Sequence, residues 1–567
     1  MRRAGLIVLA ALLWPAAAAR ADDVTFSEPL GTTGSKLHAP AETAQFPLAP
    51  HGYVEEERLV SGTATAPGGD PLPFTTRVVV RRPADAQRAN GTVVLEWMNV
   101  SLQQDTDVDW LEGYREILHD GFTYVAVSVQ PTGVPLPAQD PVRYGQIRIP
   151  PYAPNADTGG PRYGESLFAQ IAHALKAPAG APVLGGAPAR RIIAAGESQS
   201  AQRLSCYLLE AKAVDPVFDG FLIDHGECAG PTVGANDPFA YAPPVPTMML
   251  MGMAESRPAM RDREHLRVWQ IAGASHVDAW IGAYGKAEHN WDDTGQPQDY
   301  DERTAGAWGL EGGQGGTCSL FSAADPVRAD ELPQQYTHDT AIAALHTWIT
   351  TGRAPVATAP LKFDPQGAAA RDGSGGGVAA DRLGNPLGGL RLPQIDVPVA
   401  QYQGTCPEQG QALIGTTRPF TDARLRELYP TFAAYRTKMC AASAAAVDEG
   451  TLLAFDAQDI DRRVLLARTR WPRDAQGEGE CPARVAAGRR APACRSRRTV
   501  VVHARVPRHA RKVFVGGRRV AARRVGRTGL RISLRGRGAG TVRIVVRSGH
   551  SADRRTYHLC RPRLPRG

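Results

Sequence analysis

The chain has 567 residues, of which 43% are hydrophobic and 22% charged, and a formal net charge of +8. That length admits more than one domain and a large core, and that balance excludes a disordered or fibrous chain. The charge is unevenly spread: from Trp471 onward 26 Lys and Arg face four Asp and Glu, so the rest of the chain is acidic. The split points to two domains with different partners.

The amino terminus reads as an export signal. Arg2 and Arg3 form a positive start, Ala4 to Trp14 an apolar run, and Ala19-Arg20-Ala21 a cleavage site before Asp22. The apolar run is too short for a comfortable membrane span, and no later segment has the length and apolarity of a spanning helix. Export permits disulfides among the eight cysteines, whose pairing the sequence leaves open. Cys206 is expected on a buried helix as a free thiol. Cys481, Cys494 and Cys560 are expected to supply a disulfide to the terminal domain.

The elements then follow in chain order. Arg77 to Arg81 and Thr92 to Glu96 read as strands, being β-branched and bounded by Gly or Pro. A helix is predicted near Trp110 to Leu118, and a strand over Phe122 to Val129. Gly164 to Lys176 carries Leu167, Phe168, Ile171 and Leu175 at helical spacing. A strand at Arg191 to Ala195 leads into a helix from Gln199. Further strands are predicted at Phe218 to Ile223, Thr247 to Met251 and Arg267 to Ile271. Short buried strands alternating with helices imply an α/β fold with a mostly parallel sheet. Tyr284 to Gln334 is rich in Gly, Asp and Gln and long enough to be a pocket wall or lid. Helices are predicted at Tyr336 to Thr350 and Phe420 to Ala446, with a loop-like Ala357 to Gly389 between them. After a boundary near Pro472 to Glu480, five stretches alternate apolar with Arg or polar residues, and Gly516-Gly517 marks a hairpin. The division is therefore a signal peptide over 1–21, a catalytic domain over 22–472 and an Arg-rich antiparallel β domain over 473–567.

One stretch carries chemistry. Gly196-Glu197-Ser198-Gln199-Ser200 lies between a strand and a helix, the setting in which a tight turn lifts a nucleophilic serine above the sheet. Its alternative is a plain helix cap. The partners follow in the order serine, acid, histidine. His276 stands just after the strand Arg267 to Ile271, and Glu255 just after Thr247 to Met251, where loops of a parallel sheet form the ligand crevice. Asp224 is a second position for the acid. Asp278 stands too close to His276 in sequence to meet its ring easily. The oxyanion donors are expected to be the backbone N–H of Gln199 and one from Asn99, Val100 or Ser101. No metal or cofactor is expected: the cysteines show no zinc spacing, and no phosphate or dinucleotide loop is present.

Four separated motifs give a resemblance. Glu96 to Ser101 (EWMNVS), Gly121 to Gln130 (GFTYVAVSVQ), Ala194 to Ala201 (AAGESQSA) and Ala272 to His276 (AGASH) resemble, in order, a secreted or periplasmic α/β-hydrolase-domain family. The later LGNPLGGLRLPQIDVPVAQY and LYPTFAAY stretches are similar as well, so the likeness spans about 25–470. It implies an α/β-hydrolase fold and serine hydrolase chemistry without naming a substrate. Members carry Glu, then Ser or Thr, then Asp at the acid loop, whereas this chain has Glu255-Ser256-Arg257. The expectation is a secreted serine hydrolase acting on a small or polymeric carboxylic ester. An amidase or acyltransferase would use the same residues, and a non-catalytic envelope-binding protein on a hydrolase scaffold is the rival from another class. The terminal domain is expected to meet an anionic envelope polymer rather than nucleic acid.

Overall fold

The computed structural model describes residues 24–31, 48–101, 104–133, 140–150, 163–209, 214–228, 242–282, 308–310, 330–364, 377–406, 413–479, 481, 499–503, 512–516, 518–525, 529–534, 540–548 and 551–559. The expected export signal and most of Tyr284 to Gln334 lie outside them. The chain divides into two compact units, Met1–Ala486 and Ala487–Gly567.

The first unit is built on a nine-stranded sheet in the order β1-β2-β3-β5-β4-β6-β7-β8-β9. Its strands are β1 Thr25–Phe26, β2 Tyr53–Ala64, β3 Leu72–Pro83, β4 Thr92–Trp97, β5 Thr123–Val127, β6 Arg191–Glu197, β7 Gly220–Asp224, β8 Thr247–Met251 and β9 Leu266–Gln270, and a separate two-stranded sheet pairs β10 Ala400–Gln403 with β11 Thr416–Pro419. From β5 to β9 every neighbouring pair is parallel, while β1, β2 and β3 add an antiparallel wing. Alternation along the strands feeds two cores, one on each face. Val94, Ile193, Leu222 and Leu250 point to one face with α1 (Val108–Asp120) and, later in the chain, α4 (Gln335–Thr351). Val93, Ile192, Ile223 and Met251 point to the other with α2 (Tyr163–Lys176) and α3 (Gln199–Leu209). The result is an α/β-hydrolase sandwich of three layers.

Three elements differ from the sequence expectations. The single helix expected over Phe420 to Ala446 is two, α5 (Asp422–Leu428) and α6 (Phe432–Glu449). Pro430 stands in the break and disfavours helical backbone at Tyr429, and Thr431 caps α6 by accepting from Ala434 N–H at 3.1 Å. Strand β2 has no counterpart among the expected strands. Its Glu55-Glu56-Glu57 run is polar, yet Glu55 pairs with Arg81 at 2.6 Å and Glu57 with Arg77 at 3.3 Å. A further helix, α7 (Ala454–Arg463), was also not expected.

The cysteines differ from expectation too. Cys206 is not free: it is bonded to Cys228, and Cys406 is disulfide-bonded as well. Cys481 is bonded to Cys440 on α6 rather than within the terminal unit. Arg436 reinforces that link by donating to the carbonyls of Glu478 and Gly479. The first unit therefore runs past Trp471. Cys494 and Cys560 lie outside the described residues.

The second unit holds two antiparallel sheets, β12-β16-β15 and β14-β13-β17-β18. These strands are β12 Thr499–His503, β13 Lys512–Val515, β14 Arg518–Val520, β15 Ala522–Val525, β16 Gly529–Ser533, β17 Gly540–Ser548 and β18 Ser551–Leu559. β13 and β14 pair with Val515 opposite Arg518, which fits the two-residue hairpin expected there. No described helix is long and apolar enough to cross a membrane.

Candidate active site

The parallel register sets the site. Ser198 follows β6 directly and precedes α3, and its N–H donates to the carbonyl of Asp224 at the end of β7 at 2.8 Å. Its φ is +54°, a left-handed backbone that a residue with a side chain adopts at a cost of about 1–3 kcal/mol. The turn is closed by its neighbours. Ser200 Oγ donates to the Glu197 carbonyl at 2.8 Å. A Cβ at Gly196 would come within 3.0 Å of the Ser200 carbonyl carbon, so the glycine lets α3 approach.

His276, from the loop after β9, reaches this serine, and Glu255, from the loop after β8, reaches His276. His276 Nε2 lies 2.7 Å from Ser198 Oγ, and His276 Nδ1 lies 2.8 Å from Glu255 Oε1. All three sit at the carboxyl ends of strands, which brings together residues 57 and 21 positions apart along the chain without any local motif. Burial disfavours a charged ring at His276, but the Glu255 carboxylate outweighs this and holds its pKa above the ordinary imidazole value. Burial likewise pushes Glu255 up, and the histidine pulls it below the usual carboxylate range.

Asp224 does not touch His276. Its Oδ1 meets the ring of the adjacent His225 at 2.6 Å, and Oδ2 lies 3.3 Å from His338 Nδ1. Asp278 is also away from the ring: its Oδ1 accepts from Ile281 N–H, and burial raises its pKa to about 7.

The expected oxyanion donors divide into two groups. Asn99 N–H donates to Thr106 O at 3.0 Å, and Ser101 N–H to Asn99 Oδ1 at 2.7 Å, so both are engaged. The N–H groups of Val100 and Gln199 have no partner among the described residues. Asn99 also ties its loop to the elbow, donating from Nδ2 to the carbonyl and to Oε2 of Glu197 at 3.0 and 2.9 Å. Gln199 is steadied by a reciprocal amide pair with Gln130, at 2.9 and 2.8 Å.

Two further groups were missed in sequence. Glu197 occupies the variable position of the serine motif, and its Oε1 lies 3.7 Å from His276 Nε2. Burial raises its pKa to about 7, against the pull of His276. His225 is buried, has φ +50°, and stacks edge-on to His276 with ring centres 5.8 Å apart. It follows β7 as Glu255 follows β8 and His276 follows β9, so the same strand-end rule could have singled it out.

A profile of the alpha/beta hydrolase domain family matches residues 26–462. No curated protein matches the chain. Among solved structures, an a/b serine hydrolase without lid from Xanthomonas campestris is 15% identical, with 42% of this chain and 95% of that one covered and a TM-score of 0.25. Esterase Est22 is 17% identical, with 36% and 66% covered and a TM-score of 0.24. The rice cell wall degrading esterase LipA from Xanthomonas oryzae is 12% identical, with 36% and 49% covered and a TM-score of 0.22. This chain thus spans about half the length of LipA.

Proposed function

From a chain that belongs to the alpha/beta hydrolase domain family, we propose a secreted serine hydrolase that cleaves carboxylic esters. One observation carries this reading: Ser198, left-handed at the tip of β6, meets His276 at 2.7 Å, and His276 meets Glu255 at 2.8 Å. In the reaction, Ser198 Oγ attacks the ester carbonyl while His276 Nε2 takes its proton. The developing oxyanion is held by the N–H groups of Gln199 and Val100. His276 returns the proton to the departing alcohol. Water then gives a proton to His276 and attacks the acyl-enzyme, and as the acid leaves His276 passes that proton to Ser198 Oγ, restoring the serine. Glu255 keeps Nδ1–H of His276 in place and stabilises the charged ring. The disulfides Cys206–Cys228 and Cys440–Cys481 fit an oxidising compartment, in keeping with the export signal.

The terminal unit is proposed to attach the enzyme to an anionic envelope polymer. Arg523 stands directly opposite Arg531, and Lys512 opposite Arg547, all exposed. Like charges so paired are destabilising on their own, and arginine forks suit phosphate and carboxylate groups.

The test is a fluorophosphonate probe followed by peptide mapping, run beside a panel of ester, amide and acyl-acceptor substrates. An adduct on Ser198 and turnover of esters are expected. An adduct elsewhere, or none on folded protein, overturns the reading.

A further inference from the structure

Behind Glu255 lies a second histidine that the reaction just described does not use. His225 is 5% exposed, and Asp224 holds its Nδ1 at 2.6 Å. Its other nitrogen, Nε2, is buried and has no hydrogen-bond partner among the described residues. On the facing loop, Glu255 accepts from His276 with Oε1, while its Oε2 is buried and also lacks a partner among the described residues. The two orphan atoms face the same small gap: a Cβ placed on Gly252 would lie 2.8 Å from His225 Nε2 and 3.0 Å from Glu255 Oε2. A donor and a carboxylate oxygen left unmatched beside each other in a buried site is a costly arrangement unless they satisfy one another.

We propose that His225 is a positioning residue for the acid: doubly protonated and anchored by Asp224, it offers Nε2–H to Glu255 Oε2 through one bridging water. The inference rests on the serine hydrolase reading above and adds a second pair behind it, so that Asp224 fixes His225, His225 fixes Glu255, and Glu255 fixes His276. The surroundings agree. Asp224 is itself shared with His338 on α4, whose Nε2 lies 3.4 Å from Asp109 Oδ1 on α1. Burial opposes a charge on His225, yet Asp224 outweighs it and raises the ring to about 10, with Glu255 and Glu197 adding to the effect. Asp278 and Glu112 complete the acidic surroundings of this pair. The left-handed backbone of His225 is held by its N–H, which donates to Leu250 O at 2.8 Å.

Two substitutions separate the roles of the ring nitrogens. His225→Asn keeps a donor near the Nδ1 position and tolerates left-handed backbone, but removes the group facing Glu255. His225→Gln keeps a neutral donor near Nε2. The Asn variant is expected to fold and to lose about tenfold in kcat, the scale of one hydrogen bond to a charged group. The sign of its pH effect follows from charge. Removing a cation beside Glu255 and His276 raises the pKa of both. His276 must be neutral to accept the serine proton, so the acid limb of kcat/KM moves to higher pH. The Gln variant should recover part of kcat while keeping the shifted limb. Turnover within twofold of the parent and an unmoved limb in His225→Asn overturns the proposal. A readout independent of turnover is imidazole 15N NMR of folded protein: Glu255→Gln should shift the His225 Nε2 signal, and no shift overturns the proposal whatever the assay gives. Ser198→Ala in the same assay tests the hydrolase reading alone.

Discussion

The two units of this chain handle charge in opposite ways. In the first, ionised groups go inside. Arg77 and Arg81 are each 1% exposed, and each meets a carboxylate from β2. Arg81 also lies over the Trp110 ring at 4.5 Å. In the second, the described core is eight aliphatic residues, from Val502 to Val546. Its arginines, among them Arg519, Arg523, Arg531 and Arg543, stay outside. An ion taken from water needs partners from several elements at once, and only a large core supplies them. Between Ala487 and Gly567 there are 24 Lys and Arg and a single acid, Asp553. Such a surface suits many weak, screened contacts. The first unit instead keeps its charges in a few buried contacts.

The largest expected effect breaks the buried side of that contrast. Ser198→Ala should fold normally and lose about a thousandfold or more in p-nitrophenyl ester hydrolysis. Comparable rates in that variant would remove Ser198 from the nucleophile role.

Next comes the acid. Glu255→Gln is expected to cost roughly a hundredfold or more in kcat, well beyond the loss in Asp224→Asn. Its pH signature is opposite to that of His225→Asn. Glu255 raises the His276 pKa, so its removal lowers it, and the acid limb of kcat/KM moves to lower pH. A larger loss in Asp224→Asn would make that carboxylate the more important one.

A chain ending at Ala486 sharpens the comparison from the other side. It should keep turnover on a small soluble ester within about twofold, and lose salt-sensitive pelleting with an acidic polysaccharide or a teichoic-acid-like polymer. Ending at Trp471 instead removes Cys481 and with it the link to Cys440. That chain should melt several degrees lower, on the order of 4 °C for each kcal/mol in a small domain and less in one this large. Equal pelleting with and without the terminal unit would refute attachment through it.

The smallest effect concerns one cross-strand pair. Arg531→Glu, opposite Arg523, should stabilise the terminal unit by about 0.2–1 kcal/mol in urea unfolding while weakening polymer binding. A destabilised unit would show that this pair is not repulsive.

Much of this was readable in the sequence, for reasons visible in particular residues. Strands β4 to β9 are buried on both faces, so they stand out as short apolar runs between turn residues, and their ends point to Ser198, Glu255 and His276. What escaped depends on partners distant in sequence. Glu55 to Glu57 look like solvent-facing residues until Arg77, Arg81 and Arg143 are brought across from β3 and beyond. Cys206 looks free until topology places it against Cys228. His225 looks like an ordinary loop residue until its unmatched Nε2 is seen beside Glu255. The expected long helix over Phe420 to Ala446 failed for a local reason, since Pro430 was readable as a break.

The Cys206–Cys228 bond ties the helix behind Ser198 to the loop just past His225. The ring it closes has a sequence separation of 22 residues and encloses β7 and the Asp224–His225 pair. A cross-link of that span is worth about 3 kcal/mol. Before oxidation, the loop carrying His225 is held only by its noncovalent contacts. Under the proposed secretion, maturation is coupled to geography: a chain still among cytoplasmic thiols lacks one covalent restraint on the loop behind Ser198.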